Sequence, residues 1–201
     1  MNLYIARHGQ TEENVQRILQ GQMPGHLTAE GIGQAEQLRD MLRDVPFQRI
    51  ITSDLQRAVD TARIIAQPHG IEPELEPLLR ERDFGIHTGG PYIKISHALD
   101  PSAETMEQLA QRAADFLNKT AALAPSPFPL RPALPLDSSK NPSPILVVSH
   151  GLFLRVLQAV YRGVSVRSVE KMENAEYRIL PLSPDMHFAP VLVEETGGTA
   201  N

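Results

Sequence analysis

The chain contains no cysteine and no tryptophan among its 201 residues. Without cysteine it cannot form a disulfide framework, a thiolate zinc site or a cysteine nucleophile. No apolar run approaches the roughly 20 residues that a membrane helix needs, so we expect no membrane partner. The N-terminal sequence MNLYIARHG lacks the basic-then-apolar order of a secretion signal, and we therefore expect a cytoplasmic protein.

Positive charge is also scarce, because the net charge is -5 and the pI is about 5.8. A nucleic-acid-binding domain is expected to be basic, so we expect no nucleic-acid partner. Binding of an anionic ligand would need a local cluster of cations, because the net negative charge of the chain repels anions. No aspartate cluster of the metal-ligand type is present, so we predict neither a metal nor a cofactor.

Short apolar runs alternate with amphipathic helical patterns along the chain. Strands are predicted at 2–7, 49–52 and 145–149, with two late ones near 176–182 and 188–193. Four helices are predicted: one capped by Thr28 with Ile32, Ala35, Leu38 and Leu42 on its apolar face, one carrying Leu55, Ala58, Val59, Ala62 and Ile65, one over 104–123, and one from Leu152 to Tyr161. This alternation predicts an α/β fold with a mostly parallel central sheet and helices on both faces.

A proline-rich segment interrupts this pattern at about 124–144. Seven prolines stand between positions 125 and 144, and prolines at this density block both helices and sheet ladders. We interpret the segment as a surface insertion; a docking site for a proline-recognising module is the alternative. The rest of 1–195 is predicted to form one domain, and 196–201 a flexible tail.

Polar side chains follow three of the predicted strands at the point where each strand ends. They are His8 after Arg7, Arg57 shortly after the second strand, and His150 after the strand ILVVS. In open α/β sheets, ligands bind beyond the carboxyl ends of the strands. Taken singly, each residue is better explained as a surface charge or a structural histidine. Together they indicate a site for phosphate or carboxylate, because guanidinium groups bind these anions through forked hydrogen bonds.

The order of several motifs resembles the histidine phosphatase (phosphoglycerate mutase-like) superfamily. The motifs are LYIARHGQTEEN at 3–14, LQGQ at 19–22, HLTAEGIGQA at 26–35, TSDLQRAVDTA at 52–62, LRERDFGIHTGG at 79–90, AETMEQLAQR at 103–112 and VVSHG at 147–151. They cover nearly the whole chain outside the proline-rich segment. The pattern is most similar to fructose-2,6-bisphosphatase-type, TIGAR-like or broad-specificity phosphatases. The resemblance implies a three-layer phosphoglycerate mutase-like fold.

Carried over residue by residue, the resemblance implies a nucleophile at His8 and a general acid at Glu81. It also implies that the catalytic group and the substrate and phosphate contacts include Arg7, Asn14, Gln20, Gly21, Arg57, Glu81, His150 and Gly151. His8 must be neutral to offer a lone pair, and Arg7 and Arg57 are expected to lower its pKa. The same cations would neutralise charge on a phosphoryl group in transfer, and His150 would add a further donor. The Gly9 carbonyl is expected to fix the tautomer of His8.

The segment around Glu81 departs from the family pattern in places. Asp83 is the second candidate for the acid, because the stretch 80–83 is densely charged. Ile86, His87 and Thr88 replace a frequent tryptophan and acidic residue, which leaves the substrate-side wall undefined. His87 is interpreted as a surface residue, with a substrate contact as the alternative. Glu104 is expected to meet substrate hydroxyls through its carboxylate or backbone.

Three functions fit this pattern, and we predict the first. The chain would be a metal-independent phosphatase that hydrolyses a small phosphomonoester, such as a sugar phosphate or bisphosphate, through phosphohistidine on His8. A phosphoglycerate mutase is the first alternative, disfavoured because 91–103 is short for a substrate-covering region. A non-catalytic phosphate-binding or scaffold protein is the second. The expected partner is a small phosphate ester, and the sequence leaves open whether the chain forms a homodimer.

Overall fold

The computed structural model describes residues 1–92, 101–124 and 144–191. The predictions of a proline-rich insertion and of a flexible tail at 196–201 fall outside the described residues, apart from the edges of the insertion. None of the helices within the described ranges has both the length and the apolar character needed to cross a membrane.

The centre of the molecule is a five-stranded, mostly parallel sheet. Its strands are β1 (Asn2–Arg7), β2 (Arg49–Thr52), β3 (Glu74–Leu75), β4 (Ile145–Ser149) and β5 (Tyr177–Pro181), in the order β3-β2-β4-β1-β5. The pairs β1–β4, β2–β4 and β2–β3 are parallel, and β5 pairs antiparallel with β1. The predicted α/β class with a mostly parallel sheet is confirmed.

Helices cover both faces of this sheet. They are α1 (Glu12–Val15), α2 (Ala29–Leu42), α3 (Gln56–Ala66), α4 (Met106–Ala121) and α5 (Gly151–Arg162), with 3-10 turns at Gln67–His69, Pro77–Leu79, Gly85–His87 and Val166–Ser168. Because successive strand residues point to opposite faces, β4 divides its side chains between two cores. Ile145 and Val147 pack with α4 and α5, whereas Leu146 and Val148 pack with α2 and α3.

Side-chain caps fix where two of these helices begin. Thr28 accepts a hydrogen bond from the Gly31 amide at the start of α2, as the sequence predicts. Thr105 forms a reciprocal capping box with Gln108, so α4 begins at Met106 and not at 104. The helix C-terminus predicted near 123 lies at Ala121.

Two sequence predictions are corrected, and two short elements were not predicted. Residues 188–191 of the predicted last strand are not in a strand, and 192–193 lie outside the described residues. The Asn118 side chain on α4 explains this difference, because its amide donates to the Phe188 carbonyl (2.9 Å) and accepts from the Phe188 amide (2.9 Å). Ile32 lies outside the buried face of α2, with 43% exposure. The sequence patterns did not predict the short elements α1 and β3.

The strand register brings three chain segments to one edge of the sheet. Arg7 pairs with Ser149 at the ends of β1 and β4, and Thr52 pairs with Val148. The His8 amide then donates to the Ser149 carbonyl and the Ser53 amide to the Val148 carbonyl, each at 3.0 Å. The residues that follow β1, β2 and β4 therefore emerge side by side.

Candidate active site

A cavity of about 400 Å³ opens at this edge of the sheet. Eight of the nine residues that the sequence analysis placed in the site line it: Arg7, His8, Asn14, Gln20, Gly21, Arg57, Glu81 and Gly151. The ninth, His150, is fully buried beneath them. The fold thus brings all nine predicted residues together.

His8 is held as a neutral imidazole with one defined tautomer. Its Nδ1 lies 2.7 Å from the Gly9 carbonyl oxygen, which can only accept, so Nδ1 carries the proton and Nε2 keeps its lone pair. Burial lowers the pKa of His8 well below its ordinary value, and the charges of Arg57 and Arg7 lower it further. The predicted effect of the arginines on the pKa is confirmed, but burial is the larger cause.

Arg57 is almost completely buried, at 1% exposure, and is tied to the loop that precedes α2. Its Nη2 donates to the Gly21 carbonyl (2.8 Å), its Nη1 to the Met23 carbonyl (2.6 Å) and more weakly to Pro24, and its Nε to His150 Nδ1 (3.1 Å). A guanidinium has five N–H bonds, so these four contacts leave one for a ligand. Burial lowers the pKa of Arg57 to about 10, which still keeps it charged near neutral pH.

His150 lies under the cavity and is hydrogen-bonded to Arg57 and Ser53. Its Nδ1 accepts from Arg57, so Nε2 carries the proton and donates to the Ser53 hydroxyl at 2.8 Å. Its ring centroid lies 5.2 Å from that of His8. Burial lowers the pKa of His150 well below its ordinary value. Both ring nitrogens are occupied by protein groups, so this geometry connects His150 to the cavity through Arg57 and not through a direct donor.

Arg7 presents an unpaired donor beside the cavity. Its Nη1 donates to the Met172 carbonyl (2.6 Å), whereas its buried Nε has no hydrogen-bond partner among the described residues. A Cβ atom on Gly151 would lie 3.3 Å from the Arg7 guanidinium carbon. Glycine at 151 therefore lets the first turn of α5 lie directly against this guanidinium. The Arg7 guanidinium lines the cavity, and its charge suits a ligand oxygen.

Two glycines allow the loop after β1 to approach α2. A Cβ atom on Gly31 would lie 2.0 Å from the Gln10 carbonyl oxygen, and one on Gly9 would lie 2.4 Å from the Gly31 carbonyl oxygen. The Thr61 hydroxyl accepts from the Gly9 amide (3.1 Å) and donates to the Arg57 carbonyl (2.8 Å). The carbonyl that fixes the His8 tautomer is therefore itself held in place.

Asn14 and Gln20 offer opposite kinds of polar group. The Asn14 Oδ1 accepts from the Thr11 amide (3.2 Å) and from Asn174 Nδ2 (3.3 Å), which leaves its own Nδ2 as the group for an anion. The Gln20 Nε2 donates to the Thr11 hydroxyl (2.6 Å), and its buried Oε1 has no partner in the described ranges. This oxygen lies against Gly25, where a Cβ atom would approach it to 2.6 Å.

The Glu81 carboxylate lies across the start of α5. Its Oε2 accepts from the Leu152 amide (3.1 Å), and its Oε1 accepts from the Phe153 amide (3.1 Å) and from the Arg82 amide (2.9 Å). The first amides of a helix have no acceptor within the helix, and an acidic side chain there is favoured by the helix dipole. These contacts hold Glu81 in the cavity wall.

The other acidic candidates lie outside the cavity lining. The Asp83 Oδ1 accepts from the Gly85 amide (2.8 Å) and so stabilises the turn that follows. The Glu104 carboxylate pairs with Arg112 (2.8 Å). His87 is half-buried and is likewise not part of the lining. The geometry therefore favours Glu81 over Asp83 as the acid. Glu104 does not line the cavity, so the expected contact between Glu104 and substrate hydroxyls is not supported.

Several lining residues were missed by the sequence analysis. Cations are added by Arg82, Arg155 and Lys171, and apolar surface by Ile18, Leu19, Phe84, Tyr92, Leu152 and Met172. Arg155 and Lys171 come from α5 and from the loop before β5, which no motif marked. An arginine on an amphipathic helix and a lysine in a polar loop look like ordinary surface residues, so the sequence held no signal for either.

The chain belongs to the histidine phosphatase superfamily. The model of its branch 1 matches residues 3–188 of the chain. This match fits the geometry of a neutral histidine after the first strand, two arginines and a facing glutamate. The resemblance seen in the sequence motifs is confirmed.

Named relatives include both mutases and phosphatases. The chain is 32% identical over 179 residues to the probable phosphoglycerate mutase GpmB of Proteus mirabilis, covering 82% of this chain and 76% of that protein. It is 34% identical over 184 residues to the fructose-2,6-bisphosphatase TIGAR B of Danio rerio, covering 77% and 72%. The crystal structure of the alpha-ribazole phosphatase from Shigella flexneri matches with a TM-score of 0.76 and 25% identity, covering 100% of both chains.

Proposed function

We propose that the protein is a phosphatase that hydrolyses a small phosphomonoester through a phosphohistidine intermediate on His8. The observation that carries this proposal is the His8 imidazole, whose Nδ1 is bound to the Gly9 carbonyl and whose Nε2 is thereby left as a lone-pair donor. The same cavity holds the guanidinium groups of Arg7 and Arg57 and the Glu81 carboxyl group.

In the first step, His8 Nε2 attacks phosphorus and the bond between phosphorus and the ester oxygen breaks. The Arg7 guanidinium and the remaining Arg57 N–H bind the phosphoryl oxygens, where negative charge is concentrated in the transition state. Glu81, carrying a proton, gives it to the departing oxygen, so the leaving group departs as an alcohol.

In the second step, water attacks phosphorus and the bond between phosphorus and Nε2 breaks. Glu81, now a carboxylate, takes a proton from this water. The products are inorganic phosphate and a regenerated neutral His8. No described residues form a cluster of three or more His, Asp or Glu side chains that could hold a metal ion, and we expect EDTA to leave the rate unchanged.

We infer that the natural leaving group is larger than a simple alcohol and carries both apolar and anionic parts. Phe84, Leu152 and Met172 offer apolar wall, whereas Arg155 and Lys171 offer positive charge. A sugar phosphate with a second anionic group meets these two features, with the C–H groups of its ring against the apolar wall.

Phosphoglycerate mutase activity is the second candidate. The cations Arg82, Arg155 and Lys171 favour it, because a mutase must bind a substrate with two anionic groups. A mutase must also keep water from the phosphohistidine until the substrate reorients. Ile86, at the position where many family members have a tryptophan, is 79% exposed and does not line the cavity. We therefore expect hydrolysis to dominate over transfer.

Trapping of the intermediate tests the proposal. Rapid acid-free quenching after mixing with radiolabelled p-nitrophenyl phosphate should leave label on the protein that is stable to base and labile to acid. His8→Ala should lose both the label and the turnover. Label that survives acid would show a different nucleophile. Conversion of 3- to 2-phosphoglycerate in an enolase-coupled assay primed with 2,3-bisphosphoglycerate would instead support the mutase.

The expected setting and partners remain predictions. A small phosphate ester is the proposed partner, and neither a membrane nor a nucleic acid is expected. Gel filtration would decide between a monomer and a homodimer, and cell fractionation would test the cytoplasmic location.

A further inference from the structure

We propose that Arg112, on α4, is a positioning residue that places Glu81 for proton transfer. The proposal rests on the proposed function, because it concerns the delivery of a proton to the leaving group. Arg112 does not line the cavity, and its side chain is only 15% exposed. It acts through the backbone and the carboxylate contacts of Glu81.

The Arg112 guanidinium donates hydrogen bonds to carbonyl groups of the segment that ends at Glu81. Its Nη1 donates to the Leu78 carbonyl at 2.7 Å and to the Arg80 carbonyl at 2.6 Å. Its Nη2 lies 3.4 Å from the carbonyl of Glu81 itself. A single side chain thus fixes three carbonyls within four residues of an irregular segment.

Glu104 orients this guanidinium and holds the same segment from its other side. The pair is bidentate, with Arg112 Nε 2.9 Å from Oε1 and Nη2 2.8 Å from Oε2. Glu104 Oε2 also accepts from the Asp83 amide (3.3 Å), and its carbonyl accepts from Arg82 Nε (2.7 Å). The residues on both sides of Glu81 are therefore tied to one buried ion pair.

Arg112 also contacts the helix end that receives the Glu81 carboxylate. Its guanidinium carbon lies 4.9 Å from the centroid of the Phe153 ring. The Phe153 amide in turn donates to Glu81 Oε1 at 3.1 Å. The same guanidinium therefore contacts both the backbone that carries Glu81 and Phe153, whose amide binds the Glu81 carboxylate. Together these contacts set the position of the carboxyl group.

Such an arrangement matters because proton transfer depends strongly on distance. A misplacement of about 1 Å at a catalytic group can cost about 10²-fold in rate. A buried ion pair is by itself weak support for stability, since its desolvation cost offsets its attraction. The density of contacts around Glu81 is better explained by the need for a fixed position.

Kinetics with two leaving groups separate this role from a general structural one. We compare p-nitrophenyl phosphate, whose leaving group needs little protonation, with glycerol 2-phosphate, whose leaving group needs the acid. Arg112→Lys should lower kcat/KM, which reports the steps up to departure of the leaving group, about 10-fold or more for glycerol 2-phosphate and by less than about 3-fold for p-nitrophenyl phosphate. Arg39→Lys, at 22% exposure on α2 and paired with Asp40, is the matched control and should change neither.

A double variant tests whether Arg112 acts through Glu81. Glu81→Gln combined with Arg112→Lys should be no slower on glycerol 2-phosphate than Glu81→Gln alone, because the acid has already been removed. Glu104→Gln should show the same selectivity for the poor leaving group, and it replaces Arg112→Lys if that variant does not fold. Equal losses on both substrates, or an additive double variant, would overturn the proposal.

Amide hydrogen exchange provides a readout without substrate. Among the described residues, the Leu152 and Phe153 amides donate to Glu81 oxygens alone, so their exchange reports the position of the carboxylate. Both should exchange faster in Arg112→Lys than in Arg39→Lys, and unchanged exchange would overturn the proposal. If the wild type showed no His8-dependent hydrolysis, the proposed function would fail, while this exchange would still decide whether Arg112 holds Glu81.

Discussion

The cavity lining divides into a buried and an exposed part. His8 and Arg57 belong to the buried part, which we call the phosphate end; they are 3% and 1% exposed and follow the strands of the sheet directly or within one turn of a helix. Tyr92, 57% exposed, and Lys171, in an exposed loop, belong to the exposed part, which we call the leaving-group end. The phosphate end is fixed by the sheet, by buried hydrogen bonds and by close backbone contacts. Loop residues such as Lys171 tolerate substitution. The comparison teaches that the proposed chemistry rests on residues held by the core, whereas the residues proposed to meet the leaving group lie outside it.

Glu81 stands between the two ends, and its replacement should have the largest effect. Glu81→Gln should lower kcat/KM for glycerol 2-phosphate by about 10²–10⁴-fold, because the alkoxide would leave without a proton. The fall in kcat/KM for p-nitrophenyl phosphate should be much smaller, because kcat/KM reports the formation of phosphohistidine and not its hydrolysis. Equal losses on both substrates would return attention to Asp83 or to a structural role for Glu81.

Arg57→Lys should damage the phosphate end for every substrate. A lysine cannot donate to His150, Gly21 and Met23 together and still present an N–H to the phosphoryl group, so kcat/KM should fall by about 10²–10³-fold. The loss should not depend on the leaving group. A loss of kcat/KM confined to substrates with poor leaving groups would contradict the assignment of Arg57 to the phosphate end.

The buried histidines at the phosphate end should make stability depend on pH. Burial lowers the pKa values of His8 and His150 in the folded state, so below about pH 6.5 the unfolded chain binds protons that the folded chain does not. The free energy of unfolding should be fully retained above that pH and should fall at lower pH, by at most about 1.4 kcal/mol per histidine for each pH unit.

Thermal unfolding at several pH values checks this expectation. His150→Gln removes one of the two groups, so its melting temperature should change less steeply between about pH 7 and pH 5 than that of the wild type. Identical slopes would mean that His150 titrates normally in the folded protein.

Lys171→Ala should have the smallest effect, and only at the leaving-group end. For a substrate with a second anionic group, such as fructose 2,6-bisphosphate, KM should rise by about 2- to 5-fold with little change in kcat, as expected for an exposed charge. KM for p-nitrophenyl phosphate should stay unchanged. A fall in kcat for both substrates would place Lys171 at the phosphate end.

The sequence predicted the phosphate end better than the leaving-group end for a physical reason. His8, Arg57 and His150 follow apolar strands, and parallel strands end at one edge, so their meeting could be inferred from local patterns. The proposed role of Arg112 could not be inferred in this way. Its hydrogen bonds to Leu78, Arg80 and Glu104 form only because the fold brings these residues together. On its helix, Arg112 reads as a polar residue next to an apolar stripe.

The late chain shows the same limit. The apolar run near 188–193 has the composition of a strand, but a strand exists only where a neighbour supplies hydrogen-bond partners. Here Asn118, about 70 residues earlier in the sequence, supplies them for Phe188 and replaces the ladder.

By itself, the sequence determined the α/β class, four of the five strands of the sheet, and the histidines and arginines that stand at their ends. Apolar periodicity and strand-end position are local properties of the chain, so they can be recognised in the sequence without knowledge of the packing. The tertiary structure alone decided that Glu81 and not Asp83 faces the cavity, that His150 supports Arg57 from below, and that Lys171 and Arg155 line the cavity. Those outcomes depend on which distant segments contact one another, and only the assembled fold fixes such contacts.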